Sequence, residues 1–181
     1  MIDKILIHTC CADCLINLIH SLEEEKQISE ETNIILFFHN PNIHPRSEYF
    51  ARLDALKRVL IDKYPNRKIK FVIPEYRPKE YFESIAQESR RCLGCWRVRL
   101  LKTFQYAKEN DIHYVSSTLL SSHYQDAETI LKIGKELGDT DIHAIYPMEA
   151  HEQLNNHGFY KQNYCGCCYS LNERMSEKYI K

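Results

Sequence analysis

The sequence predicts an α/β fold, with a mostly parallel sheet and helices on both of its faces, and three observations support this prediction. Short apolar runs rich in β-branched residues recur along the chain, and continuous runs of this kind are typical of parallel strands buried on both faces. A segment with apolar residues at helical spacing follows most of these runs. No internal repeat or low-complexity linker interrupts the alternation, which indicates βαβ units.

The elements can be placed in order along the chain. Predicted strands span residues 2–9, 34–38, 70–74, 114–118 and 142–146. Predicted helices span residues 15–25, 45–63, 78–88, 95–108, 126–137 and 168–178. We expect a single α/β domain over residues 1–181, with an irregular C-terminal segment at about 147–181 that carries the last group of cysteines.

The composition is ordinary for a soluble globular protein, at 44% hydrophobic and 27% charged residues. The longest apolar run is far too short to span a membrane, and the N-terminus lacks the pattern of a secretion signal. We therefore expect a cytoplasmic protein without a membrane partner. The formal net charge of -1 offers no overall positive field to a nucleic acid, although it leaves room for a local basic surface.

The eight cysteines are the strongest chemical signal in the sequence. They form three short groups, which are Cys10, Cys11 and Cys14, then Cys92 and Cys95, then Cys165, Cys167 and Cys168. In a reducing compartment such groups usually bind metal or carry out redox chemistry. The first group follows a strand and the second opens a helix, so both are expected at the carboxyl edge of the sheet, where ligands bind in open α/β folds.

Four of these thiolates suit a [4Fe–4S] cluster or a structural zinc ion, and a redox-active dithiol is a third interpretation. Adjacent cysteines at the tip of a buried strand fit the paired knuckles of a zinc ribbon poorly, which favours the cluster. The helix N-terminus at the second group also favours thiolate over thiol. Asp13 lies within the first group, where it could join a second metal site or cap the helix that follows.

Other polar residues are expected near the same edge. The histidines at predicted strand ends or in loops are His8, His39, His44 and His123. A lone histidine is more often structural than catalytic. The arginines that flank the second cysteine group are Arg90, Arg91, Arg97 and Arg99. These arginines either form a solvated helix face or bind the phosphates of a nucleic acid. The sequence contains neither a P-loop nor a glycine-rich dinucleotide motif, so nucleotide hydrolysis and nicotinamide chemistry have no support.

Five short motifs are more specific together than any one of them alone. They are His8-Thr-Cys-Cys-Ala-Asp-Cys14, Asn40-Pro-Asn-Ile-His-Pro45 with Glu48, Tyr49 and Arg52, Arg91-Cys-Leu-Gly-Cys-Trp-Arg-Val-Arg-Leu100, Ser117-Thr-Leu-Leu120 with Tyr124 and Gln125, and Phe159-Tyr-Lys-Gln-Asn-Tyr-Cys-Gly-Cys167. In this order, over nearly the whole chain, they resemble the epoxyqueuosine reductase QueH family. The chain departs from that pattern at Asp13, where many members have proline, and at Tyr76-Arg77, where an acidic residue is expected after the tyrosine.

The resemblance implies a Rossmann-like fold related to the HUP and PP-loop proteins, with a metal site at the C-terminal edge of the strands. It implies a [4Fe–4S] cluster and a second, mononuclear iron ion, and it implies neither cobalamin nor ATP. The substrate would be tRNA that carries epoxyqueuosine at the wobble position, from which two electrons remove the epoxide oxygen to give queuosine. An electron donor of the ferredoxin or flavodoxin type would be a further partner.

The resemblance also implies residue roles. The expected cluster ligands are Cys10, Cys11, Cys92 and Cys95. The expected ligands of the second iron are Asp13, Cys14 and Cys167. The expected catalytic residues are Asp13, His8, His44 and Tyr124. The last three of these are candidate proton donors. The expected substrate-binding residues are Arg91, Arg97, Arg99 and Asn40. The redox-active or extra cysteines are Cys165, Cys167 and Cys168.

Three other interpretations remain open at this point. An ATP-dependent tRNA-modifying enzyme of the PP-loop type would bind ATP, although its Ser-Gly-Gly loop is absent after the first strand. A zinc-stabilised tRNA-binding module without catalysis would be colourless and contain zinc. A cluster-bearing electron-transfer protein that resembles heterodisulfide reductase subunits would absorb visible light but would not act on epoxyqueuosine-tRNA.

Overall fold

The apolar runs of the sequence form one parallel sheet. The computed structural model describes residues 2–122, 124–148 and 158–179. The strands are β1 (Lys4–His8), β2 (Asn33–Phe37), β3 (Ile69–Val72), β4 (Tyr114–Ser117) and β5 (His143–Ala144). All the pairings are parallel, and the strands lie in the order β3-β2-β1-β4-β5. The predicted α/β fold with a parallel sheet is therefore confirmed.

Helices connect and cover these strands. They are α1 (Ala12–Glu24), α2 (Arg46–Lys63), α3 (Pro78–Ala86), α4 (Arg91–Glu109), α5 (Ala127–Leu137) and α6 (Cys168–Tyr179). A short 3₁₀ helix, Thr118–Ser121, follows β4 in the region predicted as a polar loop. Within the described ranges, no helix is long and apolar enough to cross a membrane.

The central strand β1 is buried on both faces. Ile5 and Ile7 pack with apolar residues of α1 and α2, whereas Leu6 packs with Phe104 and Ala107 of α4. Burial of each such aliphatic side chain contributes about 1.5–3 kcal/mol relative to an exposed position. Burial of β1 on both faces therefore stabilises the strand that directly precedes the first cysteine group.

The strand order reverses beside β1. β2 and β3 lie on one side of β1, whereas β4 and β5 lie on the other. His8, the last residue of β1, is in register with Phe37 of β2 and Ser117 of β4. A reversal of this kind opens a crevice outside the carboxyl ends of the two central strands, and ligands of open α/β proteins bind in such crevices. The residues that follow β1 and β4 therefore face a binding position.

The helix α4 begins at Arg91 rather than at about residue 95, so Cys92 and Cys95 lie within its first two turns. Gly94 explains the difference. Glycine disfavours a helix by about 1 kcal/mol, so helix propensity alone does not favour this earlier start. However, a Cβ atom at Gly94 would lie 2.4 Å from the carbonyl oxygen of Ser84 in α3. Gly94 is thus the residue that allows α3 and α4 to pack closely.

Two other regions differ from the predicted boundaries. β5 covers only His143–Ala144 of the predicted range 142–146, because it lies at the edge of the sheet and pairs with β4 alone in the described structure. The predicted irregular region falls partly outside the described residues, at 149–157. Residues 158–164, which are described, contain neither helix nor strand.

Candidate metal centre and substrate cleft

The first cysteine group lies directly after β1, in the crevice where the strand order reverses. Cys10, Cys11 and Cys14 are buried, and their three sulfur atoms lie within 4.8 Å of one another. The backbone N–H of Cys10 donates a hydrogen bond of 3.1 Å to Oγ1 of Thr118, and the Cys10 sulfur lies 3.3 Å from the same oxygen. Residues that follow both β1 and β4 therefore position this sulfur. Three soft donors at this spacing are suited to a metal ion.

Two of these sulfurs form a disulfide. Cys11 and Cys14 are bonded to each other, with 5.5 Å between their Cα atoms. The Cys11 sulfur also accepts a hydrogen bond of 3.3 Å from the backbone N–H of Cys14 and thereby caps α1. Because metal ligands are thiolates, these two sulfurs would bind a metal only after reduction of the disulfide. Asp13 is the second residue of α1, so the alternative in which it caps that helix is wrong.

Asp13 faces a cleft beside the first cysteine group. The lining of this cleft includes Cys11, Asp13, Cys14, Tyr124, Lys161 and Gln162. The Asp13 side chain is 9% exposed, and the Lys161 ammonium lies 3.0 Å from its Oδ2. Neither carboxylate oxygen accepts a hydrogen bond of suitable geometry from the described residues. The structure therefore brings two predicted catalytic residues, Asp13 and Tyr124, into one cleft with a cysteine pair.

The third cysteine group lies in a second thiol cluster, around Tyr81 of α3. Cys95 and Cys167 are buried in this cluster with Tyr81, and Cys165 and Cys168 pack against it. The sulfurs of Cys165 and Cys167 are 3.6 Å apart. The structure thus groups Cys95 with the third cysteine group, a proximity that the sequence did not predict.

The predicted cluster ligands therefore lie in different environments. Cys10 and Cys11 share an apolar cluster with Trp96 of α4, whereas Cys95, the preceding residue, belongs to the cluster around Tyr81. Cys92 is exposed. Among the described residues, only the sulfurs of the first group form a set of three within 4.8 Å. Consecutive residues of α4 connect the two thiol clusters.

Burial and hydrogen bonding set the protonation of the second cluster. Burial raises the pKa of Cys95 to about 11, although the Arg99 guanidinium lies 3.2 Å from its sulfur and opposes this change. At Cys95, burial opposes the thiolate that a helix N-terminus is expected to favour. The hydrogen bond between Cys165 and Cys167 lowers the pKa of Cys165 and raises the pKa of Cys167.

His8 lies within the edge of the sheet rather than in the cleft. Its Nε2 donates to the carbonyl oxygen of His39 at 3.1 Å, so its Nδ1 accepts from Oγ of Ser117, also at 3.1 Å. Burial lowers the pKa of His8 well below its usual value. Both nitrogens of this neutral ring are engaged in hydrogen bonds with Ser117 and His39. The structure therefore does not support the expected role of His8 as a proton donor.

The loop after β2 holds two further predicted site residues outside the cleft. His44 donates from Nδ1 to the carbonyl oxygen of Asn42 at 2.7 Å, and its ring packs against Tyr81. Asn40 is buried, and its Nδ2 donates to the carbonyl oxygen of Thr9 at 2.8 Å. His44 therefore borders the second thiol cluster, and Asn40 ties together the chain segments that leave β1 and β2.

The predicted substrate-binding arginines differ in their exposure. Arg91 and Arg97 lie on the surface of α4, and each forms an ion pair with a glutamate. Arg99 is 2% exposed and donates to the carbonyl oxygen of Cys95 at 2.9 Å. The prediction that Arg99 contacts substrate is therefore corrected, because its guanidinium points into the protein and serves the second thiol cluster.

A buried ion pair that sequence reasoning missed lies beneath the third cysteine group. Arg52 is 2% exposed, and its Nε donates to Oε1 of Glu48 at 2.6 Å. The same guanidinium donates to the carbonyl oxygens of Tyr164 and Cys165, each at 3.4 Å. The i, i+4 spacing of Glu48 and Arg52 on a helix was the signal that could have identified this pair.

Comparison with known proteins places these features among relatives. The profile of the family described as Epoxyqueuosine reductase QueH matches residues 5–173. The chain is 30% identical to the epoxyqueuosine reductase QueH of Dehalococcoides mccartyi, over 98% of this chain and 97% of that protein. It is also 30% identical to proteins of the same name from Thermotoga maritima, over 96% of this chain and 93% of that protein, and from Acinetobacter baylyi, over 97% and 85%.

Proposed function

Because the chain belongs to the epoxyqueuosine reductase QueH family, we propose that it removes the epoxide oxygen of epoxyqueuosine in tRNA to give queuosine. The epoxide takes up two electrons and two protons, both of its C–O bonds break, an alkene forms and the oxygen leaves as water. An external donor of the ferredoxin or flavodoxin type is oxidised in turn. The reacting nucleoside lies at the wobble position of the tRNA, where unpaired bases are open to protein contact.

The buried cysteine triad at the switch point of the sheet is the observation that carries this proposal. Three sulfurs within 4.8 Å of one another lie beside a cleft that is lined by both polar and apolar groups. A site for reductive chemistry needs a redox centre next to a cavity that receives the reacting group, and ligand cavities in α/β folds occur at this point of the sheet.

The first cysteine group and Asp13 fit a metal site of the kind that the proposal requires, whereas Cys95 and Cys167 lie in the thiol cluster around Tyr81. For a [4Fe–4S] cluster we assign Cys10, Cys11, Cys92 and Cys95, and for a second iron we assign Asp13, Cys14 and Cys167. The fit rests on the sulfur spacing of the first group and on the buried Asp13 carboxylate, whose only ion pair among the described residues is with the Lys161 ammonium. When bound, these metals would supply electrons and Lewis-acid assistance to the cleavage of the C–O bonds.

The chain's own residues bind the substrate and supply protons. Tyr124 lines the cleft and is our candidate for the proton donor to the leaving oxygen. Its neighbour Gln125 accepts a hydrogen bond of 2.6 Å from Nε1 of Trp96, which holds this loop against α4. Arg91 and Arg97 are exposed cations that would exchange their glutamate partners for phosphates of the tRNA.

Anaerobic purification followed by metal analysis and a turnover assay tests this proposal. We expect about five irons and about four sulfides per chain, and conversion of epoxyqueuosine-tRNA in the presence of a chemical reductant. Cys10→Ser should remove both the visible spectrum and the activity. Cys168→Ser, which changes a cysteine without an assigned ligand role, is the control and should retain both.

Two outcomes would contradict the proposal. A colourless protein with one zinc would favour the zinc-stabilised binding module. A protein with the spectrum of a cluster that leaves epoxyqueuosine-tRNA unchanged would favour the electron-transfer protein.

A further inference from the structure

A carboxylate and an ammonium group face each other beside the cysteine triad. Asp13 belongs to the first turn of α1, and Lys161 belongs to the irregular segment that precedes the third cysteine group. Nζ of Lys161 lies 3.0 Å from Oδ2 of Asp13. We propose that Asp13 forms a cation site that the Lys161 ammonium occupies, and that a divalent cation binds there by displacing this ammonium. This inference rests on the proposed function, because both take Asp13 as a metal ligand.

Burial makes Asp13 dependent on a cation. Its side chain is 9% exposed, and a carboxylate at that depth has lost most of the water that stabilises its charge. Neither of its oxygens accepts a hydrogen bond of suitable geometry from the described residues. The N-terminus of α1 adds only a partial positive charge. Lys161 is therefore the one full positive charge that the described part of the chain places in contact with Asp13.

Lys161 combines a fixed backbone with a side chain that is free to leave. Its neighbour Tyr160 donates a hydrogen bond to Glu48 of α2, and Tyr164 donates to the carbonyl oxygen of His44 at 2.7 Å. These bonds hold the segment on both sides of Lys161. The Lys161 side chain itself is 53% exposed and has a long flexible stem. Its ammonium can therefore move into water without displacement of the segment.

The donors around Asp13 select the class of cation. Cys14 lines the same cleft, and reduction of its disulfide with Cys11 would place a thiolate beside the carboxylate. A sulfur and an oxygen suit Fe²⁺, Co²⁺ or Zn²⁺ rather than Mg²⁺ or Ca²⁺, which prefer oxygen ligands alone. Such an ion carries twice the charge of the ammonium and gains a sulfur ligand that an ammonium cannot use. Displacement of Lys161 is therefore expected to be favourable for these ions.

A cobalt titration of the metal-free, reduced protein tests this displacement, with the absorption of cobalt bound to thiolates as the measurement. Lys161→Met is expected to raise the apparent affinity for Co²⁺ about tenfold, because the competing charge is gone. Lys161→Gln should reproduce that gain. Lys161→Arg keeps the charge and should remain within about twofold of the unchanged protein. Lys79→Met removes an exposed lysine on α3 and is the matched control, with no expected change.

Asp13→Asn identifies the site at which cobalt gains affinity. The gain should disappear when Lys161→Met is combined with Asp13→Asn. The inference is overturned if Lys161→Met and Lys161→Gln bind Co²⁺ no more tightly than the unchanged protein, or if the gain persists without the Asp13 carboxylate. These results come from cobalt binding alone. Failure of the unchanged enzyme to convert epoxyqueuosine-tRNA would instead contradict the proposed function, without altering the result for Lys161.

Discussion

Cys95 and Cys165 lie in the same thiol cluster around Tyr81, and their surroundings shift their pKa values in opposite directions. Burial raises the pKa of Cys95 to about 11, whereas the hydrogen bond with Cys167 lowers the pKa of Cys165. Cys165 is therefore the more readily ionised of the two thiols. A metal would displace a proton from Cys165 more easily than from Cys95.

Alkylation of the metal-free protein tests this difference between single residues. At about pH 6.5, iodoacetamide is expected to modify Cys165 and to spare Cys95, because the thiolate is the nucleophile. Cys167→Ala removes the hydrogen bond and should slow the modification of Cys165 about tenfold at this pH. Above about pH 9 the two proteins should react at similar rates, which serves as the control. Equal rates at the lower pH, measured by mass spectrometry of the modified peptides, would contradict the prediction.

At the same scale, the sequence revealed the cysteines but not their contacts. Clustered cysteines are visible along the chain, whereas the contact of Lys161 with Asp13 depends on how a distant segment folds over the edge of the sheet. The support of Cys165 by Arg52 is hidden for the same reason. The position of His8 after an apolar run predicted its place at the crevice, but its burial between three strands determines that it is neutral.

Among the elements, α2 holds the irregular segment that carries the third cysteine group. Arg52 pairs with Glu48 and donates to the carbonyl oxygens of Tyr164 and Cys165. Gly166 follows with a φ of +114°, and a Cβ atom there would lie 3.0 Å from the Arg52 guanidinium. A segment without regular structure must satisfy its backbone through other partners, and the helix provides them here.

Removal of this support is expected to loosen the segment. Arg52→Met leaves the buried Glu48 without its charged partner, so the free energy of unfolding should fall by about 3–5 kcal/mol. Hydrogen exchange at residues 158–167 should become faster. Arg67→Met is the control, because it removes a pair of Arg67 with Glu23 at the opposite edge of the sheet. Urea denaturation and exchange measured by mass spectrometry give the result, and equal exchange at 158–167 in the two variants would refute the role of Arg52.

The order of elements was predictable because apolar periodicity is a local property of the sequence. The boundaries of the elements were less predictable. α4 begins before Gly94, at a close contact with α3 that is not visible in the sequence. The strand order, and with it the crevice between the ends of β1 and β4, arises from pairing across the whole sheet. The sequence of a single segment does not indicate which strands it pairs with.

For the whole molecule, buried histidines link stability to pH. Burial, Lys102 and Arg99 lower the pKa of His39 to about 4, even though the carboxylate of Glu80 lies 3.4 Å from its Nε2. The pKa of His8 is lowered as well. Unfolded histidine has a pKa of about 6.5, so below that pH the unfolded chain binds more protons than the native state. The stability that these neutral side chains contribute is therefore present above about pH 6.5 and is lost as the pH falls.

Denaturation of the metal-free protein with urea at two pH values tests this dependence. Between about pH 7 and pH 5 the free energy of unfolding should fall by about 2 kcal/mol through His39 alone, with a further loss through His8. His39→Gln should weaken the dependence. His113→Gln changes an exposed histidine and should leave it unchanged. A protein that became more stable on acidification would contradict the prediction.

The three cysteine groups lie near the beginning, the middle and the end of the sequence, and this has a consequence for how the protein is made. A ribosome releases residues 10–14 long before residues 165–168. The pair of Asp13 and Lys161 joins the first and the last of these regions, so it forms only after residue 161 has left the ribosome. Until then the earliest thiols are open to oxidants and to stray metal ions. We expect the cell to insert metal after the third cysteine group has emerged, and to keep these thiols reduced until that moment.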